Sequence, residues 1–297
     1  MTGAGIFVLG ALHYDILVDV PHLPVRDETV MGGGIGFACG GKGGNQAMAA
    51  SRHGAEVWFA GMVGEDDFGA SMLETLASAG VDVSQVQRTG DAISGTSVAM
   101  VEAGGEYGAV VASGANRLID VDRITLPEGA GYLVLQNELP EAVNLAVARK
   151  AGAKVVWNAA PWRGFQPEML GLVDLLIVNR VEAEGLFGRA LQSTEETMAV
   201  LRESELPIDQ VVVTRGADGL VFCERGQAPR HVPAITVEPQ SSHGAGDSFV
   251  GALCAELAGG SPFQEALAYA NAAAALHVGT APGNRASITR QDVLSLL

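Results

Sequence analysis

Apolar residues start almost at once. The run Ile6–Val20 (IFVLGALHYDILVDV) is rich in β-branched and aliphatic residues, and its pattern predicts one long strand. Glycine-rich sequence follows, then NQAMAASRHG, which suits a helix ending at Gly54. A second strand is predicted at VWFAGMVG. After it FGASMLETLASAG spaces its apolar residues three to four apart and ends on Gly80, a helix with a glycine C-cap. The period then changes. TSVAMVEAGGEYGAVVASGAN, residues 96–116, is two alternating runs around Gly104-Gly105, the mark of an antiparallel hairpin.

From there strands and helices alternate again: strand YLVLQNE, helix PEAVNLAVARKAG, strand KVVWNAA, strand DLLIVN, helices RVEAEGLFG and TEETMAVLRES, strand QVVVTRG, a hairpin-like GLVFCERGQAPRHVPA and two C-terminal helices. Short β-branched runs without polar alternation belong to strands buried on both faces. The expected fold class is therefore α/β, a doubly wound, mostly parallel sheet with helices on both faces. Residues 1–297 read as a single domain, with a small β lid formed by about 12–38 and 93–116.

Composition narrows the function. With 18 Lys and Arg against 34 Asp and Glu the formal net charge is −16, so no nucleic acid and no membrane partner is expected, since both are bound through basic residues. An anionic ligand would need a local pocket of backbone N–H groups and a few basic side chains. The three cysteines, Cys39, Cys223 and Cys254, show neither paired nor metal-ligand spacing. MTGAGIFVLGALHYD lacks the basic region and apolar core of a secretion signal. A cytoplasmic location is expected.

In an open α/β sheet ligands bind beyond the carboxyl ends of the strands. Polar residues recur there: His13 and Asp15, Glu138, Asn158, Asn179, and Thr214-Arg215-Gly216. Near the C-terminus, SSHGAGDSFVGALCAEL sets Gly244-Ala245-Gly246-Asp247 at the entry to a helix, where converging N–H groups and the macrodipole favour an anion. Asp247 is either a plain N-terminal cap or a base that takes a proton from a hydroxyl attacking a phosphoryl group. GFACGGKGG comes close to a Walker A phosphate loop, but Gly43 stands where that loop needs a Mg²⁺-binding hydroxyl.

GGKGGNQA at 40–47, GAGDSF at 244–249, NRVE at 179–182, Asp15 in GALHYD and SGAN at 113–116 together resemble the ribokinase-like (PfkB) family of carbohydrate kinases, in order from about residue 6 to about 290. GGKGGNQA, LQNELPEAV and SGANRLI are closest in pattern to its ribokinase branch. The resemblance implies ATP-dependent phosphorylation of a primary hydroxyl of a small, ribose-like sugar. It moves the glycine-rich stretch to the acceptor side: Gly41, Lys42 and Asn45 would hold sugar hydroxyls with His13, Asp15 and Glu138. Asp247 would be the general base and Gly244, Ala245 and Gly246 the anion hole. Asn179 and Glu182 would face a hydrated Mg²⁺, Thr214 and Gly216 the ATP phosphates, and Asn271 the adenine. Seen locally, Asn179 and Glu182 are equally a helix capping box.

Two departures change what the resemblance implies. Ser241-Ser242-His243 replaces the family's Asp-Thr-Thr, whose Asp contributes to a monovalent-cation site beside the anion hole, so potassium (K⁺) activation is not implied. His13 replaces an Asn, which alters the hydroxyl-binding wall. His243 is either a switchable charge near the phosphates or an inert surface residue, Arg215 a phosphate contact or a solvated side chain, and Trp157 and Trp162 packing residues rather than a stacking platform. A nucleoside kinase of the same family, with His13, Val98 and Met100 walling a base, and a non-catalytic sugar-binding sensor are the rivals. The apolar face of the lid points to a homodimer.

Overall fold

The computed structural model describes residues 3–102 and 107–297, so the predicted Gly104-Gly105 turn lies outside the described residues. Its strands are β1 (Gly5–Leu9), β2 (His13–Val20), β3 (Ile35–Gly40), β4 (Val57–Gly64), β5 (Asp82–Thr89), β6 (Thr96–Glu102), β7 (Tyr107–Ala112), β8 (Ala130–Gln136), β9 (Lys154–Asn158), β10 (Leu175–Asn179), β11 (Gln210–Thr214), β12 (Leu220–Glu224) and β13 (Arg230–Val232). The helices are α1 (Lys42–Arg52), α2 (Asp67–Ser78), α3 (Glu141–Lys150), α4 (Arg180–Phe187), α5 (Thr194–Glu203), α6 (Ala245–Ala258), α7 (Phe263–Gly279) and α8 (Arg290–Leu294). None of them is long and apolar enough to cross a membrane.

Two sheets result. The larger runs β13-β12-β11-β10-β9-β8-β1-β4-β5, parallel except for the antiparallel β12 and β13. Apolar clusters cover both faces: one includes Val8, Phe59, Val212, Phe249 and Leu267, the other Phe7, Leu135, Trp157, Val178 and Val213. Adjacent residues of one strand thus enter opposite cores, which is why these strands read as unbroken apolar runs. The doubly wound α/β class is as expected. The chain steps from β1 to β4 on one side and to β8 on the other, so the strand order reverses between β1 and β8. That switch point is where an open sheet leaves a crevice.

The smaller sheet is β3-β2-β6-β7, the expected lid. Its existence corrects the prediction of one long first strand: Ile6–Val20 divides into β1 in the main sheet and β2 in the lid. The break is held by Asn116, which is fully buried. Its Oδ1 accepts from the Leu12 N–H, and its Nδ2 donates to Leu12 O and Ser113 O. A side chain 104 residues away thus replaces the ladder partners that a bend between sheets would orphan. β5 was not anticipated either, because DVSQVQRT is a polar edge strand without the apolar run of its neighbours.

Candidate active site

Three carboxylates from distant parts of the chain converge on the first turn of α1. Asp15 leaves the cavity-facing side of β2, where it accepts from Ser97 Oγ. A Cβ added to Gly40, two residues before α1 begins, would overlap the Asp15 carboxylate. Glu138, in the turn after β8, accepts the Lys42 N–H through Oε2 at 2.7 Å. Asp247, in the first turn of α6, accepts from Asn45 Nδ2 at 3.1 Å and Gln46 Nε2 at 2.9 Å. α1 has no acid of its own in its first turn, so carboxylates from elsewhere face the positive end of its dipole. Carboxylate oxygens thus occupy the position that a Walker A loop gives to phosphate, and Gly43 offers no hydroxyl to a metal ion, so the Walker A reading does not hold.

The electrostatics record the shared space. Burial pushes the Glu138 carboxyl up to about 7, and the nearby charges of Asp247 and Asp15 push the same way, against the Lys42 N–H and side chain. Burial likewise raises Asp15, partly offset by Ser97 and His243. His13 is 4% exposed and its Nε2 has no partner among the described residues. Burial, with Arg163 nearby, lowers its pKa to about 4, so it presents a neutral imidazole on the same face of β2 as Asp15. It can donate to or accept from a hydroxyl.

The α6 entry is where the sequence places the anion hole. Gly244 is its N-cap at φ 76, a left-handed conformation that a side chain would strain. The Ala245 N–H donates to Ser242 O at 3.1 Å. Among the described residues the Gly244 and Gly246 N–H groups have no such acceptor, so they are the two free donors of the predicted trio. Asn179 and Thr214 are register partners at the ends of β10 and β11, with Gly216 just beyond.

Other expected residues stand differently. Asn179 and Glu182 form a complete capping box: Asn179 Oδ1 accepts the Glu182 N–H, and Glu182 Oε2 accepts the Asn179 N–H. Among the described residues the other Glu182 oxygen has no hydrogen-bond donor, in a buried carboxyl raised by desolvation and, against the Asn179 N–H and the Lys42 charge, by Asp247. Asn271 Nδ2 donates to Pro233 O, which ties α7 to the segment after β13. Arg215 is neither a phosphate ligand nor solvated: its buried guanidinium donates to Leu191 O, Gln192 O and Thr197 Oγ1. Trp157 is core, bonded to Asn137, and Trp162 packs on Phe165. Val98 and Met100 pair with Ile16 and Val18, on the lid face opposite Asp15 and Ser97, and do not wall the cavity.

Gln46 was not anticipated. It is 1% exposed and links Asp247 to Asn158 Oδ1 and, through its own Oε1, to Gln136 Nε2. Its signal was present: a polar side chain at a helix position whose buried neighbours are Gly43, Ala47 and Ala50.

The model of the pfkB family of carbohydrate kinases matches residues 4–289. A ribokinase of Haemophilus influenzae is 34% identical over 301 residues, covering 98% of this chain and 97% of its own. Among solved structures, Arabidopsis thaliana ribokinase complexed with ribose and ATP superposes with a TM-score of 0.89 at 28% identity over 99% of this chain and 98% of its own. Ribokinase of Cryptococcus neoformans in complex with ADP gives 0.87 at 28% identity over the whole of both chains.

The Glu138 carboxyl has a testable consequence. Its folded pKa, about 7, exceeds the ordinary 4.5, so its contribution to stability is full below pH 4.5 and is lost as pH rises through 7, a swing of roughly 3 kcal/mol. Glu138→Gln is expected to melt above wild type at pH 8, with the difference vanishing toward pH 5. Thermal unfolding across that range checks it; a difference independent of pH would show that Glu138 is not held protonated.

Proposed function

The chain belongs to the pfkB family of carbohydrate kinases and is a phosphotransferase that acts on an alcohol group of a sugar; from that premise we propose that it transfers the γ-phosphoryl group of ATP to a primary hydroxyl of a small, ribose-like sugar. The observation that carries this reading is the convergence of Asp15, Glu138 and Asp247 on one helix start beside the free amides of α6. Asp15, Glu138, His13 and Asn45 supply polar atoms for several hydroxyls at once, with the Gly41 N–H beside them, while the Lys42 N–H serves through Glu138, to which it is bonded. A relative so similar in fold carries ribose and ATP together.

In the proposed reaction, Asp247 takes the proton as the acceptor oxygen attacks. The new O–P bond forms while the bond from the γ-phosphorus to the β–γ bridging oxygen breaks, and ADP leaves with that electron pair. Charge spreading over the transferred oxygens meets the Gly244 and Gly246 N–H groups and the positive end of α6. Asn45 and Gln46 fix Asp247 by one donor to each oxygen, so the base is aimed before the acceptor arrives. Thr214, Gly216 and Asn271 are assigned to the nucleotide side.

Among the described residues no three His, Cys, Asp or Glu side chains cluster tightly enough to ligate a metal directly. The free oxygen of buried Glu182, facing the charge of Asp247, suits Mg²⁺, which prefers few carboxylates and several waters. Glu182, with Asn179 beside it, would hold the ion through water. When bound it supplies neutralisation of the phosphate oxygens.

The lid supports a homodimer. Alternation puts Asp15 and Ser97 on the cavity face of the sheet and Ile16, Val18, Ile35, Phe37, Val98 and Val110 on the other. There Ile35, Phe37 and Val110 are 63%, 58% and 67% exposed, an apolar patch suited to a second copy. All three cysteines are free thiols, which suits a reducing compartment, and the reading takes the enzyme as cytoplasmic. The nucleoside alternative loses Val98 and Met100 as a base wall and retains only His13. An intact Asp247 with its donors speaks against a sensor.

In a coupled ADP-release assay over ribose, other small sugars and nucleosides, turnover is expected with a small sugar. Asp247→Asn should lower kcat by about 10²–10⁴-fold with nucleotide binding retained; turnover at the wild-type rate would remove Asp247 from its role. Light scattering should give twice the chain mass, and Phe37→Asp should return it to the monomer value. A monomeric wild type at micromolar concentration would contradict the lid interface.

A further inference from the structure

The loop that presents the α6 amides is fastened to the end of α7, with the Arg285 side chain bonded to both. Arg285 lies in the short 3₁₀ turn Pro282–Ser287. Its Nε donates to His277 O at 3.0 Å and Thr280 O at 3.2 Å, its Nη1 to His243 O at 2.9 Å, and its Nη2 to Ser241 O. Two of these carbonyls belong to the last turn and C-cap of α7, the negative end of a 17-residue helix. The other two belong to the segment that turns into Gly244. Main-chain bonds from Gln240 and Ser241 N–H to Val278 O run alongside. His277 Nε2 lies 2.9 Å from His243 O. Burial first, and the Arg285 charge beside it, hold His277 below its ordinary pKa, so its ring is a neutral donor.

Four carbonyl oxygens converging from two segments are a cation site. The family resemblance places a monovalent cation beside the anion hole, with an aspartate at the position of Ser241. In this chain that carboxylate is absent and the converging oxygens are already bonded to a guanidinium, so the residues do not fit a metal ion. Arginine fits this position because its guanidinium is a planar fork of five donors, permanently charged, with no acceptor to leave unsatisfied. We propose that Arg285 is a resident cation that positions the Gly244–Gly246 amides and makes phosphoryl transfer in this enzyme independent of monovalent metal ions. The proposal rests on the sugar-kinase reading, and Arg285 acts through the loop, touching neither acceptor nor nucleotide.

The test compares potassium, sodium and choline chlorides at equal ionic strength, by turnover and by thermal unfolding. Wild type is expected to have the same kcat and the same Tm in all three. Arg285→Ala should lower kcat by about a hundredfold through the displaced amides, with the acceptor KM unchanged. Potassium or guanidinium ion, but not choline, should restore turnover and raise the Tm of this variant, as an ion that binds only the folded state must. Arg285→Lys should fall between. Wild-type turnover or Tm that rises with potassium, or an Arg285→Ala variant that matches wild type in choline, overturns the proposal. Should Arg285→Ala fail to fold, the wild-type comparison and Arg285→Lys still decide. Should no acceptor be turned over in any salt, the sugar-kinase reading fails, and the wild-type melting comparison alone supports or overturns the resident cation.

Discussion

Three acidic side chains meet at one helix start, and taking two of them, Glu138 and Asp15, out of water carries a cost around which the rest of the molecule is arranged. Glu138 is pushed to about 7 and Asp15 is raised as well. Each also has a donor: Ser97 for Asp15, the Lys42 N–H for Glu138, Asn45 and Gln46 for Asp247. Most of those donors belong to the first turn of α1, whose glycine-rich entry lets the helix start between the lid and the main sheet. In the proposed mechanism an acceptor rich in hydroxyls completes what the free protein leaves unfinished, since it can donate to all three carboxylates where water is partly excluded.

The same arrangement explains why the chain crosses between its two sheets. β1 and β8 bring Glu138 to the switch point, but a carboxylate on the opposite wall needs a strand that has left the main sheet. The turn at Gly10–Leu12, fixed by Asn116, provides it. The strand so displaced has one face toward the carboxylates and one exposed apolar face, the one proposed to meet a second copy. Substrate wall and proposed dimer face are therefore two sides of the same alternation.

Much of this was legible in the chain. Core strands declared themselves by unbroken β-branched runs, and the glycine-rich helix starts by composition. Glu138 beyond the end of β8 then followed from where α/β sheets bind ligands, whereas Asp15, read as a strand-end residue, lies inside lid strand β2. Long-range side-chain geometry was not legible. Nothing local marks Asn116 as the residue that splits Ile6–Val20, or Arg285 as the clamp on a loop 44 residues away. Arg215 misled for the same reason: at a strand end it looks like a phosphate ligand, yet the α4–α5 connection lies close enough to absorb its donors. Val98 and Met100 could be placed on a lid strand, but only the register shows which face they occupy. Asn179 and Glu182 are the intermediate case, since their capping box was readable locally and their proposed role toward Mg²⁺ depends on Asp247 across the site.

The proposed chemistry depends on one spatial arrangement: acceptor hydroxyls between Asp15 and Glu138, and the reacting one at Asp247. A crystal structure with the preferred sugar and a non-hydrolysable ATP analogue tests it directly. The expected result is a sugar bracketed by Asp15 and Glu138, one primary hydroxyl within hydrogen-bond reach of an Asp247 oxygen, and the terminal phosphate over the Gly244 and Gly246 amides. A sugar bound elsewhere, or one whose nearest hydroxyl is screened from Asp247 by protein, would contradict it.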